Sequence, residues 1–365
     1  RLVAVGTPET LKARPESRTG AQLRRSGSRA EASADGSAWP RVQVREARLH
    51  NLRGLDVAFP VGALVAVTGV SGSGKSSLVL DVLAPSLRHH LQGRGPVGCA
   101  GLDLPMAFAD VITAEQDAMG VAASSTVLTL TGLGESLRRR FAATPRAKAL
   151  KLAARHFSTA APGGRCEACE GRGLLTIAMD LLPDVTVGCE VCLGTRFKPE
   201  VLECRLDGRS IAEAMEATVA ESVRIFAADR TLAAPLKALC EVGLGYLKLG
   251  QEGSALSEGE RQRLRLAGQL ADPRKGRVAI LLDEPTRGLG FEDVDRLLGA
   301  LRALAGQGHL VVAVEHDLDF IRASDWVIDL GPEGGDEGGR LVVEGPPNLV
   351  GTCEASHTGR ALTNR

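Results

Sequence analysis

The chain has 365 residues, enough for two or three domain-sized pieces, and its 44% apolar and 24% charged content is that of a packed globular protein. Lysine plus arginine equals aspartate plus glutamate at 44 each, and aromatics make up 3%, which excludes binding modes that rest on overall basic charge or on rows of stacked rings. No apolar run is long enough to span a bilayer and the N-terminus lacks a secretory pattern, so the sequence reads as cytoplasmic, where its eight cysteines point to thiols or metal in place of disulfides.

The chain opens on a repeat of its own end. Residues 1–23, RLVAVGTPETLKARPESRTGAQL, align without gaps on 340–362, RLVVEGPPNLVGTCEASHTGRAL, with nine identities that include Gly6, Pro8, Ser17, Thr19 and Gly20. The later copy closes a nucleotide-binding module, so residues 1–24 are expected to be the tail of an earlier module of the same kind. Residues 25–40 are polar, rich in Ser, Ala and Gly, and aperiodic, as a linker would be.

The apolar run 63–68, ALVAVT, predicts a strand covered on both faces, and the glycine-rich stretch after it leads into a segment that can wind as a helix. Strand, loop and helix in this order are the setting of a phosphate-binding loop. Gly69, Ser71, Gly72, Ser73 and Gly74 supply a backbone that approaches phosphate closely, Lys75 a cation for the β- and γ-phosphates, and Ser76, followed by Ser77, a hydroxyl for Mg²⁺.

Two Cys-x-x-Cys pairs, Cys166 with Cys169 and Cys189 with Cys192, follow at a separation of nineteen residues, each beside a glycine-bearing turn. Four thiolates at this spacing predict a tetrahedral Zn²⁺ site with no open position for water, hence a structural metal. The segment between the pairs has the length of two short strands or a hairpin.

LSEGERQR at 256–263 opens a helix whose Ser257 and Gly259 can face phosphate through a hydroxyl and bare backbone. VAILLDEP at 278–285 is a buried strand that ends in Asp283, placed to hold Mg²⁺ through water, and Glu284, placed to orient or deprotonate an attacking water. A further apolar run at 310–317 carries His316 past its end, where a γ-phosphate sensor would stand.

These elements, in this order and at these intervals, resemble the ABC ATPase superfamily, which implies an α/β P-loop core of a mixed sheet flanked by helices, with ATP and Mg²⁺ as cofactors. GGRCEACEGRG, MDLLPDVTVGCEVCLGTRF, VGLGYLKLGQ, LDEPTRGL, VEHDLDFI and DWVIDLGPEGG narrow the resemblance to the second ABC half of the UvrA family of the bacterial excinuclease, from about residue 41 onward. The zinc insertion sets it apart from transporter and translation-associated ABC proteins. The resemblance implies core segments at 41–110 and 256–365 and an inserted helical signature domain at 111–255, with its four-cysteine zinc module at about 160–200. The tail at 1–24 then belongs to a preceding ABC half. It also implies an ATPase of nucleotide excision repair that has no nuclease activity of its own, senses damaged duplex DNA and loads UvrB through a first half that precedes this sequence. The signature of one module closes over ATP held by another, so the preceding half or a second copy is an implied partner. Gln116 stands at the family's Q-loop glutamine, and the basic stretch 134–157 is the candidate for phosphate-backbone contact.

Three departures accompany the resemblance. Glu258 replaces a signature glycine, Gly290 replaces a histidine, and the stretch after Gln116 lacks the family's two arginines. They imply weaker non-specific DNA affinity and slower turnover, as in a diverged self-resistance paralogue or an ATP-binding scaffold.

Overall fold

The computed structural model describes residues 2–24, 39–113, 125–177, 185–271 and 276–363, so Gln116 and nearly all of the linker lie outside the described residues. In chain order its strands are β1 (Arg41–Ala47), β2 (Leu55–Pro60), β3 (Leu64–Gly69), β4 (Gly101–Asp103), β5 (Asp110–Thr113), β6 (Leu174–Ile177), β7 (Val185–Gly188), β8 (Val278–Asp283), β9 (Leu310–Val314), β10 (Trp326–Gly331) and β11 (Arg340–Gly345). The chain divides into two compact units, Arg1–Ala114 with Arg274–Arg365, and Glu115–Pro273.

The first unit is built on a six-stranded sheet of order β11-β10-β3-β9-β8-β5. Its pairs from β10 to β5 are parallel, and β11 closes one edge antiparallel, which gives the mixed sheet the sequence implied. Parallel strands need cover on both faces, and the uninterrupted apolar runs of β3 and β9 supply it: Leu64 to Val67 and Leu310 to Ala313 are wholly buried. Their register, Val67 beside Val314 and Asp283 beside Val314, brings the C-terminal ends of β3, β9 and β8 level. Ligands of such sheets gather at that edge. A smaller antiparallel sheet, β2-β1-β4, contributes Val42, Val44, Val57 and Phe59 to the same core.

The terminal repeat is also a repeat in three dimensions. Short helices at Pro8–Lys12 and Arg18–Arg24 correspond to those at Pro347–Gly351 and His357–Thr363. In both copies a serine hydroxyl accepts a glycine N–H three residues on, Ser17 from Gly20 at 3.0 Å and Ser356 from Gly359 at 2.7 Å. In the C-terminal copy Ser356 and Thr358 also donate to the buried carboxylate of Asp329 in β10, at 2.7 and 2.8 Å, where Thr68 of β3 joins them at 2.6 Å. This three-hydroxyl knot fastens the last helices to the sheet.

The second unit is mainly helical, with the β6–β7 hairpin as its only sheet among the described residues. Caps delimit its helices: Ser210 with Glu213 and Thr218 with Glu221 each form a reciprocal capping box. The unit runs past residue 255, the boundary inferred from sequence, to Pro273. The reason is packing, because the signature helix Glu258–Ala271 lies along the helix Arg230–Glu241.

Candidate functional site

The phosphate-binding loop leaves β3 at Gly69, whose φ of +135° favours glycine and where a Cβ would lie 2.1 Å from the Leu330 carbonyl oxygen of the neighbouring strand. The chain then turns through Ser71 to Gly74 and enters a helix at Lys75, wound with π-type hydrogen bonds over Ser77–Leu83 and continued as an α-helix over Ala84–Leu91. Lys75 Nζ donates to the carbonyls of Gly69 and Val70 at 2.9 and 2.8 Å, so the ammonium is folded back over the loop it serves. Burial holds Lys75 below the usual lysine range, while Asp283, Asp329 and Glu284 pull it back up. A triphosphate in the loop would act in the same direction as those carboxylates.

Sequence reasoning gave no role to what supports the loop from outside. Asn51 Nδ2 donates to Gly72 O at 2.8 Å and to Gly335 O at 3.2 Å, while the backbone N–H groups of Gly335 and Gly339 donate to Gly72 O and Ser73 O. The glycine-rich stretch after β10, noted in the sequence only as part of a family resemblance, is thus packed against the phosphate-binding loop. Gly339 has φ +73°, and a Cβ there would stand 1.9 Å from the Asn51 carbonyl oxygen.

At the end of β8, Asp283 is half-buried and Glu284 turns into left-handed backbone with φ +44°, its N–H held by Val314 O at 3.0 Å. The turn aims the Glu284 carboxylate along the C-terminal edge of the sheet, 3.6 Å from His316 Nδ1 and 3.4 Å from the Arg287 guanidinium. The structure therefore brings together the two side chains that sequence reasoning placed at the attacking water and at the γ-phosphate. Lys75 is coupled electrostatically to the same carboxylates.

In the other unit, Ser257 caps the signature helix in a manner its Ser-x-x-Glu spacing could have revealed. Its N–H and hydroxyl donate to Glu260 Oε2 at 2.7 and 2.9 Å, and its Oγ accepts from Glu260 N at 3.3 Å. The Tyr246 hydroxyl donates to the other oxygen of Glu260. Burial raises the Glu260 carboxyl, but the bonds from Tyr246 and Ser257 outweigh it and hold the group below the ordinary carboxylate range. Gly259 follows in the first turn with no atom close enough to crowd a side chain there, whereas the side chain of Glu258 lies outside what the structure describes.

The four predicted metal ligands meet. Cys166, Cys169, Cys189 and Cys192 are buried with their sulfurs all within 4.8 Å of one another, and Cys166–Cys189 and Cys169–Cys192 stand at 4.0 and 3.6 Å. Zinc–sulfur bonds of about 2.3 Å arranged tetrahedrally require sulfur separations of about 3.8 Å, so the set fits Zn²⁺. Without a cation the sulfurs cannot all be thiolates: N–H groups of Cys192 and Val191 draw Cys189 down to about 7, while burial pushes Cys192 up to about 12. The two knuckles share one backbone solution, with left-handed residues after the second cysteine of each, Glu170 and Gly171 in one and Leu193 and Gly194 in the other. Between them β6 and β7 pair antiparallel, Leu174 opposite Gly188 and Ile177 opposite Val185, as the hairpin reading expected. Ile177, Val185 and Val187 share one side of the hairpin and are exposed, which gives it an apolar face, while Leu174 is exposed on the other side and Val191 and Leu193 on the second knuckle.

The basic stretch 134–157 is less free than its sequence suggests. Arg139 pairs with Glu135, Arg140 with Asp229 at 2.7 Å, and Arg146 with Glu203. Arg140 and Arg146 meet acids from segments distant in sequence, Arg139 meets one a turn earlier in its own helix, and Phe141 stacks on Phe157 at 5.5 Å.

No protein-family model matches the chain. It is 42% identical over 369 residues to UvrABC system protein A of Mycobacterium bovis and 43% identical over 372 residues to that of Thermus thermophilus, covering 99% of this chain and 38% of either relative. The crystal structure of UvrA2 from Deinococcus radiodurans superposes with a TM-score of 0.87 at 41% identity, covering 99% of this chain and 44% of that one. The chain thus spans about two fifths of the length of the curated relatives it matches. No helix of the described residues is long and apolar enough to cross a membrane. An ABC-type sheet edge carrying Lys75, Asp283, Glu284 and His316, a helical unit with a four-cysteine cluster, and similarity along the whole sequence place this chain in the UvrA family, as one region of that longer protein.

Proposed function

We propose that this chain is an ATP-hydrolysing half of a damage-sensing protein of nucleotide excision repair, which binds duplex DNA and couples its nucleotide cycle to lesion verification and the loading of UvrB. Lys75, Ser76 and the backbone from Gly69 to Gly74 hold the phosphates of ATP, with Ser71, Ser73 and Ser77 lining the same cradle. Mg²⁺ is shared by Ser76 and, through water, Asp283. Glu284 orients and deprotonates the attacking water, and His316 contacts the γ-phosphate. Gln116, outside the described residues, links the nucleotide to the signature unit.

Residues 1–24 are the tail of a preceding ABC half, a reading supported by the matching helices and serine–glycine bonds of residues 341–363. Ser257 and Gly259 close over ATP held by that half or by a second copy, which makes the working unit at least two modules. Zn²⁺ in the four-cysteine site fixes the base of the β6–β7 hairpin against duplex DNA. The apolar face of the hairpin suits contact with exposed base surfaces better than with phosphates, consistent with reading distortion and not charge.

The observation that carries this reading is the joint presence in one chain of the Glu284–His316 pair beside a phosphate-binding loop and of a preformed four-thiol site. ATP turnover of the full-length protein with and without duplex DNA tests it. Turnover that responds to duplex supports the proposal, and none under either condition defeats it. A second reading, a diverged UvrA-like protein with weak ATPase activity, is favoured by Glu258 in the signature and by the pairing of Arg139, Arg140 and Arg146 with acids. It predicts slow turnover that duplex DNA leaves unchanged.

A further inference from the structure

The residue before His316 is a buried carboxylate that the account so far leaves unused. Glu315 is 1% exposed and carries no ion pair among the described residues, and its carboxyl group is held by hydrogen bonds. Its Oε1 accepts both the N–H and the hydroxyl of Thr286, at 2.9 and 2.6 Å. Its Oε2 accepts the N–H groups of His316 and Asp317, at 3.0 and 3.2 Å, and its own N–H donates to Val67 O at 3.1 Å. One residue therefore joins three segments: its side chain ties the turn after β8 to the turn after β9, and its backbone N–H bonds the strand that leads into the phosphate-binding loop. The Glu284–His316 contact spans the same two turns on the solvent side.

Burying a carboxyl group is costly even when it is fully hydrogen-bonded, and an apolar residue would fill the space more cheaply. What a carboxylate supplies and an apolar residue cannot is two oxygens that bind four donors from two different turns at fixed separation. We propose that Glu315 is a positioning residue for ATP hydrolysis, clamping Thr286 to the backbone of His316 and so holding Glu284 and His316 at working distance. The proposal rests on the hydrolytic reading above. It places Glu315 behind the reacting atoms, out of contact with nucleotide.

Glu315→Gln keeps the shape but replaces one acceptor by a donor, so the turn that faces the amide nitrogen loses its backbone N–H bonds to the side chain. In the full-length protein it should lower kcat for ATP by about tenfold or more, the scale of a small displacement of catalytic groups. ATP affinity should stay within roughly twofold, because the phosphate-binding loop is untouched. Thr286→Val, which removes only the hydroxyl, should lower kcat by about threefold, and Thr286→Ser should restore it. If Glu315→Gln fails to fold, the Val and Ser pair at Thr286 decides. A kcat within roughly twofold of the parent overturns the proposal, as does a loss of ATP affinity and thermal stability in step with kcat, which a packing defect would produce. Absence of turnover in the parent defeats the hydrolytic reading and this proposal together, whereas a working parent with unaltered Glu315→Gln and Thr286→Val variants defeats this proposal alone.

Discussion

Glu284→Gln is expected to reduce ATP turnover by about a hundredfold or more while leaving ATP binding intact, the range observed when a positioned general base is removed. The Glu284 carboxylate stands at the C-terminal edge of the sheet, its backbone fixed by the bond to Val314 O and its side chain between His316 and Arg287. The amide keeps the volume and can still accept a hydrogen bond, but it cannot take a proton from water. Lys75 and the glycine backbone of the phosphate-binding loop are not altered, so a fluorescent ATP analogue should bind the variant as it binds the parent. Phosphate formed in quenched single-turnover conditions separates the two effects, because it counts bound and released product alike. Turnover within about threefold of the parent would show that the base lies elsewhere and that the Glu284–His316 contact is incidental.

Removal of the metal should be the largest structural perturbation available. Structural Zn²⁺ contributes roughly 10–16 kcal/mol of binding free energy in small domains, and here it would also relieve the conflict that leaves Cys189 and Cys192 with opposite shifts. Cys169→Ser removes a ligand whose sulfur also accepts the Gly173 N–H at 3.2 Å, at the entrance to β6. We expect one zinc per chain in the parent and less than stoichiometric zinc in the variant. Amide exchange should be fast across β6 and β7, and ATP binding unchanged, since the phosphate-binding loop belongs to the other compact unit. Parent protein purified in reducing buffer without zinc would remove the metal from the account, and with it the reason for the two knuckles.

What was legible in the sequence was what local pattern encodes. The phosphate-binding loop, the acids after β8, the histidine after β9 and the two cysteine pairs are each read within a few residues, and the structure brings the members of each set together. The supports of the site were not legible, because their partners are distant in sequence: Asn51 reaches Gly335 across 284 residues, and Thr68, Asp329, Ser356 and Thr358 meet only once the sheet has formed. Glu315 was quoted as part of a motif, yet its role depends on Thr286, which is brought beside it by the pairing of β8 with β9. The pairing within the basic stretch was not legible for a related reason. A run of like charges predicts a free cationic face only if no acids fold against it, and Glu203 and Asp229 do so from 57 and 89 residues away. Ser257 is the reverse case: the Ser-x-x-Glu spacing was present in the sequence, and the expectation of phosphate contact overshadowed its capping role.

The account turns on one connection, between nucleotide held at Lys75 and the engagement of DNA by the metal-pinned hairpin. The measurement that tests it most directly is the ratio of affinities for a lesion-bearing and an intact duplex, taken with and without ATP, for the full-length protein and its Lys75→Ala variant. The account predicts that ATP changes the ratio in the parent and leaves it unchanged in the variant. A variant whose ratio still responds to ATP as the parent's does would contradict it.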